Sequence, residues 1–389
     1  MITPSEIALA HSQLVHTMIQ KQIVAANRWI SFEQYMNLAL YAPGLGYYSS
    51  GATKLGSAGD FVTAPELSPL FGRTLAQQLK QILPSLAQSN ILEFGAGTGK
   101  LARDIMLELE KSGSLPEKYL ILEVSAELRQ RQQTLISQEI PHLAQKIEWL
   151  DQLPEQFTGI VIANEVLDAM PVHIIKWQDN MALERGVCVE DNQFSWQDRP
   201  IGNPQLHAIA KELLPEINPY KLPDFEYISE INLAASGFIE SLAERLRQGV
   251  ILLIDYGFGR HEYYHPQRNQ GTLMCHYRHH AHGDPFYLPG LQDITSHVDF
   301  SAIANTAINA GLQFMGYTTQ AHFLINCGIT ALLAQTSAED TIHYLPQSNQ
   351  LQKLVSPAEM GELFKVIAFG KNFNAPLTGF CSGDMSRRL

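Results

Sequence analysis

Four stretches of this 389-residue sequence have residue types and spacings that could do chemistry. The first is Glu93-Phe94-Gly95-Ala96-Gly97-Thr98-Gly99, an acid followed by glycines at alternate positions. Glycine lets a backbone approach a ligand with no Cβ in the way, so the run reads as a ligand-cradling turn. A dinucleotide fingerprint wants a further glycine or alanine one place beyond Gly99, and Lys100 stands there. The second and third are carboxylates that close apolar runs, Glu123 after Tyr119-Leu120-Ile121-Leu122 and Asp151 after Ile147-Glu148-Trp149-Leu150. A carboxylate at the end of a second strand can accept hydrogen bonds from both hydroxyls of a ribose. The fourth is Asn164-Glu165-Val166-Leu167-Asp168-Ala169-Met170-Pro171-Val172, which places two acids just after the apolar run Gly159-Ile160-Val161-Ile162-Ala163. Each acid also has a plain structural reading, as a solvated strand end or as a residue that caps a helix and favours its dipole.

These residues need a scaffold, and the surrounding pattern predicts one. Strand 90–94, helix 99–111, strand 119–123, helix 126–137, strand 147–150 and strand 159–163 alternate as in a parallel sheet. Neighbouring parallel strands end on the same side, so the loop after the fourth strand faces the crevice of the glycine turn. Upstream, Ser5 caps a helix over 5–26, Ser31-Phe32-Glu33-Gln34 opens a second, and a third covers 69–83. The stretches 41–49 and 59–72 are rich in glycine, proline and aromatics. They read either as structural turns or as a cap with Thr63, Glu66 and Ser68 as polar contacts. Downstream come a β insertion from 173, a helix over 230–247, strand 250–254, an irregular stretch 259–298, helix 299–310, strand 312–319, a helix near 323–336 and strand 363–369. The expected organisation is an N-terminal helical and cap segment over 1–85 and a core over 86–389, with insertions at about 173–228 and 259–298.

A formal charge of −12 with no long basic run argues against a nucleic-acid binder and suits a cationic ligand. The four cysteines are far apart with no Cys-x-x-Cys pair, which indicates neither a disulfide framework nor a cysteine zinc site. Seven histidines fall between 259 and 298 (His261, His265, His276, His279, His280, His282 and His297), but without clean ligand spacing. No metal is expected; His276, His282 and Asp284 are candidate substrate contacts. The start lacks a signal peptide or a basic, serine-rich transit segment, and no apolar run is long enough to span a bilayer. A cytoplasmic, bacterial protein is the expectation.

The acid-x-Gly-x-Gly-x-Gly pattern resembles the first motif of class I S-adenosyl-L-methionine (SAM) methyltransferases. That resemblance implies an α/β fold with a Rossmann-like seven-stranded sheet, a terminal strand being antiparallel, and SAM as cofactor. Cofactor binding would fall to Glu93, Gly95, Gly97, Gly99, Glu123, Asp151, Asn164, Thr63 and Glu66, with Glu123 on the ribose and Asp151 on the adenine amino group. The segments 164–172 and 293–300, with Thr63-Ala64-Pro65-Glu66, Thr319-Gln320 and Met360-Gly361, are similar to the MidA-type methyltransferases, whose mitochondrial members are the complex I assembly factor 7 proteins. This implies methyl transfer to a protein arginine. A small-molecule or other nucleophile and a SAM-binding assembly factor without turnover stay open; a nicotinamide oxidoreductase is disfavoured by Lys100.

Methyl transfer from a sulfonium rests mainly on positioning. An arginine acceptor stays protonated below a pKa of about 12, so carboxylates must clamp it. Glu165 and Asp168 are the catalytic candidates. The segments 41–72 and 259–298 are expected to close over the crevice from opposite sides.

Overall fold

In the computed structural model, residues 4–50, 63–179, 181–220, 222 and 225–389 are described. Part of the expected cap, residues 51–62, lies outside them. The central sheet contains β1 (Asn90–Phe94), β2 (Tyr119–Leu122), β3 (Ile147–Leu150), β4 (Phe157–Asn164), β5 (Leu246–Phe258), β6 (Gln313–Thr319) and β7 (Phe364–Lys371). Their order is β3-β2-β1-β4-β5-β7-β6, with the short strand Val298–Asp299 added beside the end of β5. β3 through β5 pair in parallel, and β7 runs antiparallel to both of its neighbours. The last strand of the chain is thus the antiparallel one, inserted between β5 and β6 rather than at the edge.

Period-two burial explains why this sheet needs helices on both faces. Ile91, Ile121, Ile160, Ile162, Val250, Leu252 and Ile254 pack with helices Pro69–Ile82 and Lys100–Lys111. Leu92, Phe94, Val161, Ala163, Ile251 and Leu253 pack with helices Leu233–Arg245 and Phe300–Asn309. Reversal of the strand order beside β1, where β2 leaves on one side and β4 on the other, opens a crevice at the carboxyl ends.

A second, antiparallel sheet is built from Ile30–Ser31, His173–Gln178, Met181–Glu190, Gln193–Pro200 and Glu226–Ile231. One face packs against helices Glu6–Ala25 and Phe32–Tyr41, through Val15, Ile19, Tyr35 and Met36. The other face packs against helix Pro204–Ile217. This sheet brings the end of Phe32–Tyr41 and the turn that follows to the mouth of the crevice.

Several boundaries differ from expectation. Glu226–Ile231 is a strand, and the helix expected from 230 starts after Asn232, whose side chain accepts the Ala235 amide. The helix near 323–336 is broken at Gly328, at φ 85°, into Gln320–Asn326 and Ile329–Leu333. The stretch 259–298 holds a short helix, Arg260–Tyr263, and a three-stranded sheet of Met274–Tyr277, His280–His282 and Asp293–Thr295. Among the described residues, no three His, Cys, Asp or Glu side chains gather as a metal site, and no helix is long and apolar enough to cross a membrane.

Candidate active site

The crevice contains a cavity of about 420 Å³ lined from the ends of β1, β2 and β4 and from the N-terminal segment. Gly95 and Gly97 line it with left-handed backbones, φ 60° and 54°. A Cβ on Gly95 would stand 3.3 Å from Val166 Cγ2, in a backbone region that L-residues avoid. Gly99, at φ 89°, is the N-cap of Lys100–Lys111 and is not among the lining residues. The first two glycines therefore open the cradle and the third starts the helix.

Gln132 shapes this end of the cavity, and the sequence motifs gave no sign of it. Its Nε2 donates to the Gly97 carbonyl at 2.9 Å and to Glu123 Oε2 at 3.0 Å, while its Oε1 accepts from Trp149 Nε1 at 2.9 Å. Glu123 Oε1 also accepts the Ser125 amide at 2.9 Å, which fixes the carboxylate at the cavity wall. The available signal was a polar residue inside a buried helical stripe, Leu128, Gln132 and Ile136.

Glu93 lines the cavity although it is only 2% exposed, and the Tyr119 hydroxyl donates to its Oε2 at 2.7 Å. Burial pushes the Glu93 carboxyl up to about 8 against that hydrogen bond, and the Glu123 charge adds to the rise. Asp151 goes elsewhere. Its side chain is 86% exposed, is ion-paired with Arg129 and is not among the residues lining the cavity, so the expected contact with an adenine is not formed by this geometry.

Thr63 and Glu66 line the cavity from the other side. Glu66 accepts from the Thr98 hydroxyl and pairs with Lys100 Nζ at 2.7 Å. Its carboxylate is committed to the glycine loop, as a strap from the N-terminal segment, rather than presented to a ligand.

The last residue of β4, Asn164, and the loop after it, with Glu165 and Asp168, reach the cavity. Glu165 has a left-handed backbone, φ 55°, which is a strained setting for a non-glycine residue. Asn164 Nδ2 donates to its Oε1 at 3.1 Å. Burial pushes the Glu165 carboxyl up to about 8, with the charge of Asp168 adding and the Asn164 and Ala64 hydrogen bonds opposing. Asp168 accepts from Tyr256 Oη at 2.6 Å on Oδ2, while Oδ1 is buried with no hydrogen-bond partner among the described residues. Burial raises Asp168 to about 6, against the Tyr256 bond. Neither acid is ion-paired with a lysine or arginine among the described residues.

Two tyrosines from the N-terminal segment complete this wall. Tyr41 and Tyr48 stack at 5.4 Å, inclined by 21°, and both line the cavity. Tyr41 donates to the Ala169 carbonyl and Tyr48 to Asp293 Oδ1, both at 2.9 Å. Among the described residues the stretch 259–298 contributes no lining residue, and it backs this wall through Asp293 behind Tyr48 and through the Ser296 amide, which donates to the Asp168 carbonyl at 2.9 Å. His276, His282 and Asp284 lie away from the cavity, and His282 Nδ1 accepts the Asp284 amide.

Residues 70–318 match a family profile described as "Putative S-adenosyl-L-methionine-dependent methyltransferase". Curated relatives include the protein arginine methyltransferase NDUFAF7 homolog, mitochondrial, of Drosophila melanogaster, 30% identical over 87% of this chain and 81% of the relative. The Danio rerio protein arginine methyltransferase NDUFAF7, mitochondrial, is 28% identical over 86% of this chain and 82% of its own length. Among solved structures, a Burkholderia thailandensis protein bound to S-adenosyl-homocysteine is 47% identical, with a TM-score of 0.95 and full coverage of both chains. A native crystal structure from the same organism gives 46% identity and a TM-score of 0.91, again over both whole chains.

Proposed function

We propose that this chain, which belongs to the family of S-adenosyl-L-methionine-dependent methyltransferases, transfers methyl groups to arginine side chains of a protein. The observation that carries the choice of acceptor is the pair Glu165 and Asp168, two cavity-lining carboxyls with no lysine or arginine paired to them among the described residues. Burial holds both carboxyls towards the neutral form, a cation beside them is what favours their ionisation, and a guanidinium offers the planar set of donors that carboxylates hold best. The stacked Tyr41 and Tyr48 rings beside them suit the flat face of such a cation. The relatives named protein arginine methyltransferases support the same acceptor.

The residues present fit the cofactor. Gly95 and Gly97 present left-handed backbone with no side chain at the cavity wall, and Glu123 is held by Ser125 and Gln132 with its carboxylate at that wall. The Burkholderia thailandensis relative, with S-adenosyl-homocysteine bound, supports the same cofactor. When bound, SAM supplies a methyl carbon activated by its sulfonium, whose C–S bond breaks with the electron pair passing to sulfur as the acceptor nitrogen forms the new N–C bond. Glu165 and Asp168 align the guanidinium for that attack. Transfer onto a guanidinium creates a strongly acidic dication, so a carboxylate is base enough to take the departing proton.

The test is to incubate the protein with methyl-labelled SAM and matched peptides carrying either a single arginine or a single lysine, then to hydrolyse the products. Label in methylarginines is the expected result. Label on lysine, or only in small molecules, contradicts the proposal.

A further inference from the structure

Glu165 and Asp168 sit on a loop with no regular structure to hold them, and Glu165 is in a strained conformation. A loop of this kind keeps its shape only if its free amides and side chains are tied from outside. Two consecutive residues at the end of β5 do this. Asp255 is 1% exposed, and its Oδ2 accepts the amides of Val166, Leu167 and Asp168 at 3.2, 2.9 and 3.3 Å. Its Oδ1 accepts the Tyr256 amide at 2.9 Å. Tyr256 in turn sends its hydroxyl to Asp168 Oδ2 at 2.6 Å. Neither Asp255 nor Tyr256 lines the cavity.

We infer that Asp255 and Tyr256 are positioning residues for methyl transfer. Asp255 fixes the backbone from Val166 to Asp168, and Tyr256 holds Oδ2 of Asp168, so that the carboxyl keeps one orientation at the cavity wall. This rests on the acceptor-side reading of Asp168 given above. The proton shed by the acceptor nitrogen, as its bond to the methyl carbon forms and the carbon–sulfur bond breaks, goes to the Asp168 carboxylate.

The groups facing Asp168 are Glu165 on its own loop, Asp255 and Tyr256 on β5, and Tyr41 and Tyr48 from the N-terminal segment, with Asp293 behind Tyr48. Burial opposes ionisation of Asp168, whose charge in turn raises Glu165 and Asp255. The Tyr256 hydroxyl favours that ionisation, so removing the hydroxyl moves the Asp168 titration to higher pH.

The experiment compares the full-length wild type with Tyr256→Phe, Asp255→Asn and Asp168→Asn. SAH affinity is measured by calorimetry, amide hydrogen exchange is followed over residues 164–170, and transfer from SAM to an arginine peptide is profiled against pH. Tyr256→Phe is expected to keep the SAH affinity, to lower kcat/KM for the peptide by about tenfold, and to shift the acidic limb of the profile upward. Asp255→Asn is expected to lose protection at the amides of Val166, Leu167 and Asp168 even with no peptide present. A Tyr256→Phe profile that overlays the wild type while Asp168→Asn is inactive overturns the inference and leaves the role of Asp168 standing. Full activity in Asp168→Asn overturns both. If the wild type methylates a lysine peptide instead, the arginine acceptor is lost, and the same pH comparison on that peptide decides the positioning role. Should Asp255→Asn fail to fold, Tyr256→Phe alone decides.

Discussion

The side-chain amide of Gln132 donates to the Gly97 carbonyl at 2.9 Å, so the helix Ala126–Glu139 holds the glycine loop in shape from outside the motif. The same nitrogen reaches Glu123, and Trp149 fixes the amide from behind. Replacing Gln132 with alanine removes both ties. We expect SAH affinity to fall by about tenfold, measured by calorimetry, with the fold retained by circular dichroism.

Glu123 and Asp151 make a contrasting pair, since each closes a strand and only the first reaches the cavity. Glu123→Ala should weaken SAH binding by about 1.5–3 kcal/mol, the range for hydrogen bonds that involve a charged group. Asp151→Ala should leave it within about twofold, because an exposed ion pair with Arg129 contributes little. Equal losses in the two variants would mean that Asp151 swings into the site when ligand binds.

The contrast also shows what a sequence can carry. The central sheet was legible because its strands are short apolar runs, with Ile160 and Ile162 on one face and Val161 and Ala163 on the other, each buried by helices. The glycine cradle was legible because left-handed backbone at Gly95 and Gly97 restricts which residues can stand there. Helix Thr341–Val355 was not legible. It carries Pro346 in its interior and buries only Leu354 fully, so it has no strong period. Glu226–Ile231 was missed at its end because Glu230 has a helix-compatible residue type but serves the strand, accepting the Thr272 and Leu273 amides. Asp255 and Tyr256 follow an apolar run as Asp151 does, and nothing in their spacing told that they grip a loop from another strand.

Glu93 gives a prediction about pH. Its carboxyl titrates at about 8 in the folded chain, above the usual carboxylate range, because it is buried. A group raised on folding stabilises most below its unfolded pKa, near 4.3, and that contribution is lost as pH rises through the folded value. The ligand-free protein should therefore lose thermal stability between about pH 5 and pH 8. Glu93→Gln, which keeps a side chain able to pair with Tyr119, should flatten that decline. Parallel Tm curves for the two proteins across this range would show that Glu93 is not the buried titrating acid.

The central claim is that the loop after β4 serves the acceptor and the glycine loop serves the cofactor, and Glu165→Gln tests it most directly. The substitution keeps the size of a cavity-lining side chain and removes the charge that would pair with a guanidinium. Two quantities are measured on one preparation, the SAH affinity by calorimetry and single-turnover methyl transfer from SAM to an arginine peptide. The account predicts SAH affinity within about threefold of wild type and transfer slower by about a hundredfold or more. Transfer at the wild-type rate, or loss of SAH binding in a folded Glu165→Gln protein, would contradict it.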